Sequence, residues 1–131
     1  MRVLALDYGA ARTGVAISDA TGTLARPLTV VERAASEAGL RRVAELVAAE
    51  GAERIVVGLP LTLRGEQGAQ ADETARFVEA LRAAVDVPVE SFDERFTTAL
   101  AAAGPSSRAP EDARAAAHLL ESYLAWTSGR A

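Results

Sequence analysis

Residues 1–19, MRVLALDYGAARTGVAISD, place one acid, Asp7, at the end of an apolar, β-rich run and follow it with Gly9 and Gly14. A carboxylate behind Val3, Leu4, Ala5 and Leu6 loses hydration, and burying it unpaired is expensive unless a partner or a cation compensates. The two glycines fall where a first strand turns back, and glycine permits either a positive φ or the close approach of a phosphate. Three uses of this unit compete. It holds a divalent metal against a scissile phosphate, it cradles nucleotide phosphates as in actin-like and sugar-kinase ATPases, or Asp7 only caps a turn through an Asx bond to its own backbone.

Outward from this stretch, residues 2–8 and 12–19 read as two strands, and 23–31 as a third in which Pro27 indicates an edge position, because proline donates nothing to the ladder. From Ala34 to Glu50, Leu40, Val43, Leu46 and Val47 recur at helical spacing, and Gly51 closes the helix. Arg54–Gly58 is a short, almost wholly apolar run of the kind buried on both faces of a sheet. A loop over 62–70 with Gly65 and Gly68 leads to a helix over 70–84, and Val87–Phe92 forms a last strand ending in Asp93-Glu94-Arg95. A brief helix over 97–103, a proline-containing loop over 104–110 and a final helix from Pro110 to Trp126 complete the chain. The order β-β-β-α-β-α-β-α predicts an α/β fold: a mixed five-stranded sheet, three antiparallel strands then two parallel crossovers, with helices on both faces.

The 131 residues suit one domain, 1–131, and half of them are hydrophobic, much of that alanine, with only six aromatics. Cysteine is absent, which excludes disulfides and thiolate zinc sites, and no run approaches a membrane span or a signal peptide, so a cytoplasmic location without membrane partners is the expectation. A net charge of −4 argues against sequence-independent nucleic-acid binding over a wide surface but leaves room for a local site. All fourteen basic residues are arginine, the side chain that forks onto phosphate oxygens, although GC-rich codon usage explains the same bias.

In such a sheet the C-terminal ends of the first, fourth and fifth strands share one edge, where sites form. Asp7 ends the first strand, the pair Asp93-Glu94 ends the fifth, and Asp112 lies in the first turn of the last helix, on the face shared by Ala116, Leu119 and Tyr123. Like charges clustered in a low-dielectric site require a counter-ion. Mg²⁺ or Mn²⁺ takes oxygen ligands, and a pair of such ions supports in-line displacement at phosphorus. His118 is the single histidine, so a histidine-rich site is excluded. Plainer uses exist for each acid: Asp93 or Glu94 pairing with Arg95, and Asp112 complementing the helix dipole.

With these residues assembled, the chain resembles the YqgF family, bacterial proteins described as Holliday-junction resolvases or pre-16S rRNA nucleases with a ribonuclease H-like fold. The matching elements are LDYGAARTGVA from Leu6, ARPL from Ala25, IVVGLPL from Ile55, DERFTT from Asp93 and DARAAAHLLESYL from Asp112, in order along nearly the whole chain. The resemblance implies a single ribonuclease H-like nuclease domain. It implies a divalent-metal-dependent nuclease acting on structured RNA or branched DNA, with 5′-end processing of pre-16S rRNA as the expected role and Holliday-junction resolution as the alternative. It places catalytic and metal-holding roles, with Mg²⁺ or Mn²⁺ as a two-ion set, on Asp7, Glu94 and Asp112, and substrate contacts on Arg12, Arg95 and Thr98. The protein is expected to act as a monomer or, on a two-fold junction, a homodimer. One departure from the family pattern is the short stretch before the last acid, residues 99–111, in which Arg108 is the sole base.

Two other classes follow from the same residues. An ATPase of the actin and sugar-kinase type needs two related domains around a cleft, more than this length holds. A non-catalytic module that binds nucleic acid or a processing partner fits the acidic balance and the short basic segment.

Overall fold

The computed structural model describes residues 1–60, 68–94 and 110–128. Its elements run β1 (Val3–Asp7), β2 (Arg12–Ser18), β3 (Ala25–Glu32), α1 (Glu37–Glu50), β4 (Arg54–Leu59), α2 (Ala69–Ala84), β5 (Val89–Asp93) and α3 (Glu111–Ser128). They form one five-stranded sheet in the order β3-β2-β1-β4-β5. β1 and β3 run antiparallel to β2, whereas β4 lies parallel to both β1 and β5. This is the expected mixed sheet, and the brief helix expected over 97–103 lies outside the described residues.

Alternation along the strands sorts the core into two layers, because successive side chains leave a strand on opposite faces. Leu4, Leu6, Val15, Ile17, Ile55 and Val57 point to one face and pack against Val43 and Leu46 of α1 and Phe77 and Leu81 of α2. Val3, Ala5, Ala16, Val56 and Phe92 point to the other, where Ala116, Leu120 and Tyr123 of α3 cover them. The small residues Ala5, Ala16, Ala116 and Ala117 let α3 lie close to the sheet. Phe92 stands edge-on to Tyr123 with centroids 5.5 Å apart and also meets Trp126, so the aromatics of α3 belong to this packing.

Pro27 does sit on the edge strand, opposite Ala16 at a shift of register between Val15 and Ala16 that absorbs the missing donor. The expected start of α1 at Ala34 is corrected to Glu37. Ser36 takes an extended backbone conformation, and its hydroxyl accepts the Gly39 N–H, which makes it the N-cap. Gly51, at φ 66°, ends the same helix in the left-handed region.

Candidate active site at one edge of the sheet

The strand directions bring five chain segments to one edge of the sheet: the C-terminal ends of β1, β3, β4 and β5 and the N-terminal start of β2. Asp7 emerges from β1 on the α3 side, since Leu6 before it points to the opposite layer. Glu94 follows β5 directly, and Asp112 occupies the first turn of α3.

Asp7 and Glu94 meet through a side-chain hydrogen bond, carboxyl to carboxyl. Burial raises the Asp7 pKa, the bond from Glu94 opposes this, and the negative charge of Asp112 adds to it. Glu94 is pushed up to about 7, first by burial, then by the charge of Asp7, the hydrogen bond to it and the charge of Asp93. A carboxyl-to-carboxyl hydrogen bond requires that one of the two acids keep its proton. Two acids held in contact with one proton between them form a place where a cation can replace that proton.

Asp112 is near enough for its charge to act on Asp7, but its own carboxylate is ion-paired with Arg12 Nε at 3.3 Å. Both members of that pair are well exposed, at 66% for the Arg12 side chain and 40% for Asp112, so water screens the contact. Among the described residues, no three His, Cys, Asp or Glu side chains are grouped closely enough to hold one metal ion. The donor set at Asp7 and Glu94 is all oxygen, which fits a hard divalent cation. Arg95 and Thr98 lie outside the described residues. His118 is half-buried on α3, its Nδ1 without a hydrogen-bond partner, and takes no part in the acid pair.

Two glycines shape this edge in ways their surroundings in sequence did not announce. Gly14 is not part of the turn: it lies inside β2, paired with Asp7, and its φ is not positive. A side chain there would run into the backbone carbonyl of Asp112, so the missing Cβ is what lets the first turn of α3 sit on the sheet. Gly58 of β4 does the same for Glu94. A Cβ at Gly58 would come 2.6 Å from Glu94 Oε1 and 3.1 Å from Leu119 Cδ2. The apolar run that identified β4 gave no sign that Gly58 borders the acid; only the parallel placement of β4 between β1 and β5 shows it. On the opposite face of the same edge, Tyr8 stacks on Phe77 at 4.5 Å and donates to Glu73 at 3.1 Å.

The family described as RuvX, Holliday junction resolvase, matches residues 1–126. A Chloroflexus aggregans protein named "Putative pre-16S rRNA nuclease" is 50% identical over 99 residues, 76% of this chain and 70% of its own length. A relative of the same name from Chloroflexus aurantiacus is 48% identical over 99 residues, and the match spans 65% of its length. Another of that name, from Rubrobacter xylanophilus, is 45% identical over 131 residues, covering 94% of this chain and 91% of the relative. Among solved structures, Thermus thermophilus RuvC in complex with Holliday junction substrate superposes with a TM-score of 0.68 at 18% identity, over 98% of this chain and 96% of that one. At that identity the likeness is one of fold. No helix among the described residues is long and apolar enough to cross a membrane.

Proposed function

The chain belongs to the YqgF/RuvX family, and from that membership and the acid pair we propose that it is a divalent-metal-dependent nuclease that hydrolyses phosphodiester bonds in structured nucleic acid, with 5′-end processing of pre-16S rRNA as its role. The observation that carries the proposal is the Asp7–Glu94 contact. A protein selected only for stability gains little from two acids pressed together at a strand end, whereas a site that binds a cation needs them there.

Asp7 and Glu94 hold the cation in this reading, and Asp112 joins them as the third catalytic acid once it leaves Arg12. The chemistry that Mg²⁺ or Mn²⁺, as a pair, would supply there is polarisation of the phosphodiester and activation of water. To serve as a ligand Glu94 would have to be deprotonated. Arg12, which pairs with Asp112 at this edge, is assigned to the substrate, where its guanidinium would grip a backbone phosphate in bidentate fashion. Arg95 and Thr98 are assigned to the substrate backbone on the family pattern alone. A single domain over 1–131 suffices for this chemistry, as a monomer or a homodimer.

The family description favours a second reading, Holliday-junction resolution, which uses the same acids on branched DNA. A cleavage screen with Mg²⁺ and with Mn²⁺ over a pre-16S rRNA 5′ segment, duplex DNA and a four-way DNA junction separates the two. The proposal expects cleavage of the RNA, only with divalent metal. Preferential cleavage of the junction installs the second reading, and binding without cleavage in any metal overturns both in favour of a non-catalytic module.

A further inference from the structure

Arg33 is the one residue other than glycine with a positive φ among the described residues, at 48°. A residue with a side chain occupies this left-handed region only at a cost in steric energy, and arginine lacks the short polar group that lets Asn or Asp compensate locally. Local geometry at position 33 favours glycine, yet an exposed arginine stands there. The backbone around it is tightly specified. Its N–H donates to the Ala11 carbonyl at 3.0 Å, tying it to the turn between β1 and β2. Its own carbonyl accepts from the Ser36 backbone N–H at 2.9 Å and from the Ser36 hydroxyl at 2.6 Å, just before α1.

The topology fixes where this lies. β1 and β3 are both antiparallel to β2, so the end of β3 shares an edge with the end of β1 and the start of β2, and Glu32 pairs with Arg12. Arg33 therefore flanks the same turn as Arg12, at the same edge as Asp7. Two strand spacings separate β3 from β1, about 10 Å. Arg26, Arg41, Arg42, Arg54 and Arg82 each hold a carboxylate. Arg33 forms no ion pair among the described residues, so its charge is available for a ligand. Residues held in disfavoured backbone regions by surrounding bonds are characteristic of functional positions.

Resting on the nuclease reading, we propose that Arg33 is a substrate-positioning residue that binds a backbone phosphate of the nucleic acid one or two nucleotides from the bond held at Asp7 and Glu94. Arg12 and Arg33 then form two points of a phosphate track across the turn, which gives an acidic protein a local anion-binding edge. Contacts of this kind set register and carry the salt dependence of binding, with no preference for base sequence.

The test is equilibrium binding of a fluorescein-labelled RNA stem–loop and a labelled four-way DNA junction by the full chain in EDTA, as a function of salt. It compares wild type, Arg33→Gln, Arg33→Lys and Arg33→Gly, with a thermal melt of each. Arg33→Gln and Arg33→Gly are expected to bind several-fold more weakly, with the slope of log K against log salt reduced by about one. Arg33→Lys is expected to keep the slope. Arg33→Gly relieves the backbone, so its melting temperature is expected to equal or exceed that of wild type while its affinity falls, a combination a purely structural role does not produce. Wild-type affinity and slope in Arg33→Gln and Arg33→Gly overturn the assignment of Arg33 alone. A wild-type protein that binds neither nucleic acid in EDTA but cleaves either with Mg²⁺ or Mn²⁺ overturns this assignment alone, and one that neither binds nor cleaves overturns the nuclease reading with it.

Discussion

Two aspartates stand just beyond the buried cores of adjacent strands, and they face opposite fates. Asp19, after β2, is partly buried and satisfied: its carboxylate accepts from the Thr21 hydroxyl at 2.7 Å and from the backbone N–H groups of Thr23 and Leu24 at 2.9 and 3.1 Å. Its pKa is lowered to about 2, with the Thr21 bond as the largest cause. Asp7, at the end of β1, is drawn into the structure against a second acid, and its pKa is raised by burial. Asp19 is the turn cap that Asp7 was weighed as. Asp19 is given three donors by its own turn, whereas the partner given to Asp7 is a second acid, which is the arrangement the proposed cation site would use.

Substitution separates the two most sharply. Asp7→Asn is expected to reduce metal-dependent cleavage by about 100-fold or more, since a cation site contributes several kcal/mol to the transition state. Its melting temperature should hold or rise, because a poorly satisfied acid is removed. Asp19→Asn should do the reverse, lowering the melting temperature and leaving cleavage at the wild-type rate. Cleavage assays and melts on the two variants check the pair, and the comparison breaks if they behave alike.

Gly58→Ala tests the site from the scaffold side. The added methyl must displace Glu94 or Leu119, a strain of about 1–3 kcal/mol. The expected result is a lower melting temperature together with about a tenfold loss of cleavage at fixed metal, partly recovered at higher metal concentration. An unchanged metal requirement would show that Glu94 can shift freely.

Titration gives the comparison opposite signs. Glu94 rises from 4.5 to about 7 on folding, so the native state binds the extra proton. Its contribution is full below pH 4.5 and lost as pH rises through about 7. Asp19 falls from 3.8 to about 2, so its contribution is present above pH 3.8 and lost as pH drops toward 2. Melting temperature across pH should therefore fall between about 5 and 7 in the wild type, and Glu94→Gln should flatten that segment alone. Adding Mg²⁺ should restore stability above pH 7 in the wild type and leave Glu94→Gln little changed. The smallest effect is expected from Arg12→Ala, where loss of an exposed ion pair changes stability by at most about 1 kcal/mol. Its signature should lie in weaker nucleic-acid binding.

The sheet was legible because its signals are local. Alternation through Leu4, Leu6, Val15 and Ile17, the apolar run at Ile55–Val57 and the Gly51 stop each sit within a few residues of what they specify. The meeting of Asp7 and Glu94 was legible one step further, through topology, because parallel strands put their ends on one edge. What escaped was set by close approach between distant backbones. Gly14 reads as a turn residue beside Gly9, and only the arrival of α3 shows that its missing side chain seats Asp112. Gly58 is equally silent in an apolar run. The start of α1 was placed too early because Ala34 and Ala35 favour helix, and the Ser36 cap with the turn at Arg33 overrides them. The Arg12–Asp112 pair joins residues a hundred apart in sequence and follows from no periodicity.

The central claim is that the Asp7–Glu94 pair is a cation site. Calorimetric titration of Mn²⁺ into the full chain near pH 6.5, in two buffers of different ionisation enthalpy, measures uptake and the accompanying proton together. The account predicts Mn²⁺ binding with release of up to about one proton per protein, since ligands must deprotonate, and loss of both signals in Asp7→Asn. Equal Mn²⁺ binding by wild type and Asp7→Asn, or no binding by the wild type, would contradict it.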